Sequence, residues 1–104
     1  MNLLSPEDKK HYRRIGHHLK PVILLGNQGL SPGLLEETSR ALHDHELIKI
    51  RLSAEDREGR QEQLQALLLA TDATLVQQIG KIALILRRSE KPEPKLSNLL
   101  RVHT

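Results

Sequence analysis

The chain predicts an α/β fold: a two-layer sandwich in the order α-β-α-β-α-β-β, with a mixed four-stranded sheet. Three observations predict it. Apolar residues switch along the chain between a helical period and a strand period. Two Ser-Pro pairs, Ser5-Pro6 and Ser31-Pro32, each place an N-cap residue before a proline suited to the first helical position. Gly80-Lys81 separates two apolar runs, as in a tight hairpin.

Glu7 and Asp8 follow Ser5-Pro6 and suit the first turn of a helix that should run to Arg14 or Ile15, with Gly16 as its C′ residue. Tyr12, Ile15 and Leu19 should face the core, while Lys9, Lys10, Arg13 and Arg14 form a basic stripe at three- and four-residue spacing. Val22 to Leu25 is a continuous apolar run, the pattern of a strand covered on both faces. The second helix begins at Ser31-Pro32 and turns Leu34, Leu35, Thr38, Ala41, Leu42 and His45 to one side. Leu47 to Leu52 alternates, with Ile48, Ile50 and Leu52 inward and Lys49 and Arg51 on a basic outer face. The charged stretch Glu55 to Glu62 opens a third helix, which packs Leu64, Leu67 and Leu68 inward. Leu75–Ile79 and Ile82–Leu86 complete the sheet as an antiparallel pair, joined by a type II′ turn at Gly80. Strands one and two, joined through a helix, should lie parallel. Residues 1–88 then form one domain, and 89–104, broken by Pro92 and Pro94, a basic mobile tail.

Composition narrows the function. With 104 residues there is room for a single core, and without Trp or Phe and with only Tyr12 as an aromatic, aliphatic side chains must build it. The absence of cysteine excludes a disulfide scaffold and a thiolate metal site and fits a reducing cytoplasm. No apolar run is long enough for a membrane span, and no secretory leader is recognisable, so a cytoplasmic monomer is expected. Residues 1–20 carry five Lys/Arg against two acids, 87–104 also five against two, and 21–86 six against nine. Basic ends around a mildly acidic centre fit a polyanion. The lack of aromatic residues excludes a base-stacking sheet platform, so a nucleic acid would be held through its backbone and shape.

The apolar run Val22–Leu25 leads into Gly26-Asn27-Gln28-Gly29, and a helix starts directly behind. A G-x-x-G loop lets another backbone approach closely, and the free N–H groups and dipole of the helix start suit phosphate. Loops of this kind clamp nucleotide backbones in KH domains. Other chemistry finds no support. His17-His18 and His43-Asp44-His45 lack the i, i+4 spacing of a helical metal pair, so no metal or cofactor is expected. No nucleophile elbow, P-loop or dinucleotide fingerprint appears, so no enzymatic activity is expected.

Three collinear motifs, L-K-P-V-I-L-L-G-x-x-G-L-S-P-G from Leu19, H-E-L-I-K-I-R from His45 and Q-Q-I-G-K-I-A-L-I-L-R from Gln77, make residues 3–88 resemble the CRM domain of the single-domain, YhbY-like bacterial group. The resemblance implies an RNA-binding domain similar in fold to the C-terminal domain of translation initiation factor three. It also implies association with precursors of the large ribosomal subunit, with ribosomal RNA as partner. The implied RNA-binding residues are Gly26, Asn27, Gln28 and Gly29, with Lys20 before the loop and Lys9, Lys10, Arg13, Arg14 and Lys81 around it. Many family members carry a basic residue inside the loop, where this chain has Asn27-Gln28. Amides add no Coulomb attraction, so the flanking cations must supply it. The alternative is a module that docks on ribosomal proteins or other acidic partners without contacting RNA.

Overall fold

Why the chain folds as it does is clearest from its caps. The Ser5 hydroxyl accepts from the Asp8 N–H, that of Ser31 from Leu34, and the Asp56 carboxylate from Gly59, so each helix starts on a side chain that satisfies an otherwise unbonded backbone donor. In the computed structural model, which describes residues 4–26 and 28–100, these caps open α1 (Pro6–Gly16), α2 (Pro32–His45) and α3 (Arg57–Thr71). The strands are β1 (Pro21–Leu24), β2 (Leu47–Arg51), β3 (Thr74–Ile79) and β4 (Ile82–Leu86). The order is the one the sequence predicts.

The four strands form one sheet in the order β1-β2-β4-β3, with β1 parallel to β2 and both other pairings antiparallel. Gly80 has φ +58° while Lys81 has a negative φ, as a type II′ turn requires. On one face, Ile23, Leu25, Ile48, Ile50, Leu52, Ala83 and Ile85 pack against Leu42 of α2 and Leu64 and Leu67 of α3. This sheet and its two helices are the two-layer sandwich. The other face is partly covered by α1, where Tyr12 packs with Leu47, Val76, Leu84 and Leu86.

Local readings differ in three places. Gly16 is the last residue of α1 and not a C′ cap; a Cβ there would lie 2.5 Å from Leu84 Cδ2, so the glycine lets helix and sheet approach. β1 is buried on one face only: Ile23 points into the core, while Val22 and Leu24 are 51% and 63% exposed. Its apolar run resembles that of a central strand, but β1 lies at the sheet edge and α1 packs chiefly over β2 and β3. Finally, residues 89–100 are tied to the domain where the sequence suggests a mobile tail. Glu46, buried at the end of α2 with φ +63°, accepts from the Ser89 N–H and the Ser97 hydroxyl, each at 2.7 Å. Asn98 donates to the Leu47 carbonyl, and Leu99 packs beside the Tyr12 cluster.

Candidate nucleic-acid interface

The loop after β1 is tight. Its Gly29 N–H donates to the Gly26 carbonyl at 3.0 Å, and the Ser31 N–H to the Gly29 carbonyl at 3.2 Å. Asn27 lies outside the described residues, so the loop is characterised at Gly26, exposed Gln28 and Gly29. A strand-to-helix turn that simply needs a left-handed residue accounts for Gly29, whose φ is +65°. It does not account for Gly26, which has no positive φ and, its chain neighbours aside, no atom of a described residue within 4 Å of where a Cβ would stand. The described residues therefore make no demand for glycine at 26 and leave the space above it open to another molecule's backbone.

The helix start behind the loop adds to this. Pro32 has no N–H, and that of Gly33 meets no acceptor among the described residues. The first turn of α2 holds no acid, whereas α1 has Glu7 and Asp8 there and α3 has Glu58. An anion at the first turn of α2 would meet the positive dipole end, while Glu36 and Glu37 stand beside Gly33 one turn further on.

The sheet carries the loop to its basic neighbours. The Leu25 N–H donates to the Arg51 carbonyl and the Leu52 N–H to the Lys81 carbonyl. Loop 26–29, the end of β2 and the Gly80-Lys81 turn thus share one end of the sheet, about 10 Å apart across two strand spacings. Lys20 precedes Pro21, which registers with Lys49. Arg13 leans from α1 toward the sheet, where with His17 and Lys49 it borders a cavity of about 280 Å³. Lys9 lies one turn before Arg13, while Lys10 and Arg14 point further outward, away from the sheet. None of these five cations on or just after α1 forms an ion pair with a described residue.

Lys81 differs. Its Nζ lies 2.7 Å from Glu55 Oε1, and its hydrogen bond and charge hold the Glu55 carboxyl below its ordinary range. The structure thus puts Lys81 near the loop but already paired. Arg87 is also committed: its guanidinium donates to the Ser39 and Thr71 carbonyls and the Ser39 hydroxyl, clamping α2 to the end of α3.

Residues to which the resemblance assigns no RNA contact join this surface. Lys49 and Arg51 read equally as charges that blunt an exposed strand, and His17 first raises a metal question; here they border the same open face as Arg13. Among the described residues no group of three or more His, Asp or Glu side chains could hold a metal ion. Gln77 opens the third motif, but the sequence does not show which face it takes, because a β-bulge decides where it points.

Comparison with known proteins identifies the family. Residues 4–87 match the family model of the CRS1 / YhbY (CRM) domain. A Pseudomonas aeruginosa protein named a probable RNA-binding protein is 47% identical over 98 residues, covering 94% of each chain. A Haemophilus influenzae protein named an RNA-binding protein is 41% identical, covering 92% of this chain and 97% of its own. The solution structure of a Staphylococcus aureus protein described as a candidate RNA binder superposes with a TM-score of 0.74 at 27% identity, covering 86% of this chain and 93% of that one. These relatives are named as RNA-binding proteins rather than enzymes. On the family match and these identities, the chain belongs to the CRS1 / YhbY (CRM) domain family.

Proposed function

We propose that this chain is a non-enzymatic RNA-binding protein that engages ribosomal RNA of the large subunit during ribosome assembly, acting as a monomer in the cytoplasm. The observation that carries the reading is Gly26, a glycine that the described fold does not need, in a loop at one end of a sheet whose α1 side carries cations with no ion-pair partner among the described residues. In this reading the loop backbone, with Asn27 and Gln28, contacts sugar and phosphate. Lys20, Lys9, Arg13, Lys10 and Arg14 neutralise the flanking phosphates. The names of the relatives support RNA as the partner, and the family resemblance supports the ribosomal process.

The test is binding to purified large-subunit and small-subunit ribosomal RNA across a salt series, with the Lys9/Lys10/Arg13/Arg14→Ala variant alongside. Affinity should fall with salt, and the variant's slope should be shallower by roughly 0.7–0.9 for each phosphate that is no longer neutralised. The large-subunit RNA should bind more tightly. Equal affinity for the two RNAs would remove the large-subunit assignment. No binding at low salt would remove RNA altogether and favour docking on a protein.

A further inference from the structure

We infer that the open half of the sheet face beside α1 is a pocket for one unpaired base of a bound RNA, so that the chain reads single-stranded RNA and not only its backbone. The inference rests on the RNA reading above. The cavity of about 280 Å³ lies between α1 and strands β2, β4 and β3, lined by Arg13, Gly16, His17, Lys49, Gln77, Ile79, Ile82 and Leu84. It is near the lower end of small-ligand clefts, which begin at about 300 Å³, and so suits a single ring system.

Four features point to a base. The walls are apolar where a ring would lie, on Ile79, Ile82 and Leu84, and Gly16 brings the α1 backbone to the edge without a side chain. Gln77 offers an amide with donors and an acceptor, bonded to no described side chain or backbone group, as the edge of a base requires. Arg13 and Lys49 stand at the border for the adjoining phosphates. No carboxylate lines this cavity, whereas a second contains Glu36 and Glu37 and a third Asp8 and Asp72. A polyanion is therefore admitted here and opposed there.

The fold makes a specific provision for the site. Strict alternation along β3 would put Gln77 and Ile79 on the same face as Leu75, which packs beneath α2 and α3. A bulge between Leu75 and Gln77 shifts the register, so that Val76 and Gln77 both face the α1 side and Ile79 follows them. Bulges re-aim side chains in this way next to functional sites. Ile79 is left 69% exposed, and the apolar surface continues across Arg51 to exposed Leu24 and Val22, at the foot of the Gly26 loop. An RNA strand running from α1 to the loop passes over the cavity.

The experiment measures anisotropy of two labelled RNAs of equal length at one salt concentration, a single strand with its bases and an abasic ribose-phosphate strand. The wild-type chain should bind the strand with bases about tenfold more tightly. The neutral double variant Gln77→Ala/Ile79→Ala, verified as folded by its thermal melt, should bind both strands alike, at the affinity of wild type for the abasic one. Equal binding of both strands by wild type would overturn the base pocket and leave phosphate recognition standing. Full discrimination retained by the variant would overturn the assignment to this cavity. Failure of wild type to bind either strand would overturn the RNA reading itself, and the pocket with it.

Discussion

Gly26 and Gly29 bound the same loop but answer to different constraints, and substitution separates them. Gly29 sits at φ +65°, where a side chain adds strain of about 1 kcal/mol before any RNA is present, whereas Gly26 has neither strain nor a close neighbour. Gly26→Asp should therefore leave the melting temperature close to that of wild type and weaken RNA binding at least tenfold, through bulk and charge at the contact. Gly29→Asp should lower both. Thermal melts read beside anisotropy check the pair, and undiminished RNA affinity in Gly26→Asp would remove the loop from the interface. At Glu55 the pairing with Lys81 holds the carboxyl low. The pair's contribution to folding is thus present above the ordinary carboxylate range and lost as pH falls through the lowered value. Removing that carboxylate should release the Lys81 charge toward RNA, so Glu55→Gln should bind more tightly than wild type, most clearly at low salt. The motif made Gly26 and Lys81 visible in the sequence. It could not indicate which of them the fold had already engaged, since Glu55 is 26 residues away from its partner.

At the scale of elements, caps and periodicity were legible because each is written within a few residues: Ser5, Ser31, Gly80 and the alternation of β2 all stand where expected. What escaped depended on neighbours distant in sequence. The β1 run gave no sign that its second face would stay largely open at the sheet edge, and Gly16 read as a cap because close packing and capping both favour glycine. The β3 bulge left no local trace, so Gln77 could not be placed. The junction at the end of α2 was equally hidden. There Glu46 is a buried acid at positive φ, and it holds Ser89 and Ser97 across more than forty residues of chain. Glu46→Ala would leave the buried Ser97 hydroxyl and the Ser89 N–H without their acceptor, at about 1–3 kcal/mol. Denaturant unfolding should show that loss, and limited proteolysis should cut first after residue 88. If the variant matches wild type in both assays, Glu46 does not anchor the segment.

Across the whole molecule, the proposed interface and the packed core of α1 occupy opposite ends of one sheet face. At the Leu47–Leu86 end, Tyr12, Val76 and the returning Leu99 close the surface; at the Arg51–Ile82 end the sheet is open, bordered by the cations of α1 and the Gly26 loop. Such a division lets one end be packed without obstructing the other. It was legible in the sequence only as two basic ends around an acidic centre, because net charge does not tell which basic segment is folded back. The C-terminal segment decides between them: its Ser97 is fully buried and Asn98 donates to the Leu47 carbonyl, so its role is structural despite its charge. Ending the chain at Arg88 should remove these hydrogen bonds and the packing of Leu99, and lower stability by roughly 2–4 kcal/mol. RNA affinity measured well below the melting temperature should keep the wild-type salt slope, because the proposed interface places the phosphate contacts on α1 and the loop. A slope that becomes shallower by the equivalent of one or more phosphates would mean that the segment itself touches RNA, and the interface would then extend over both ends of the sheet face.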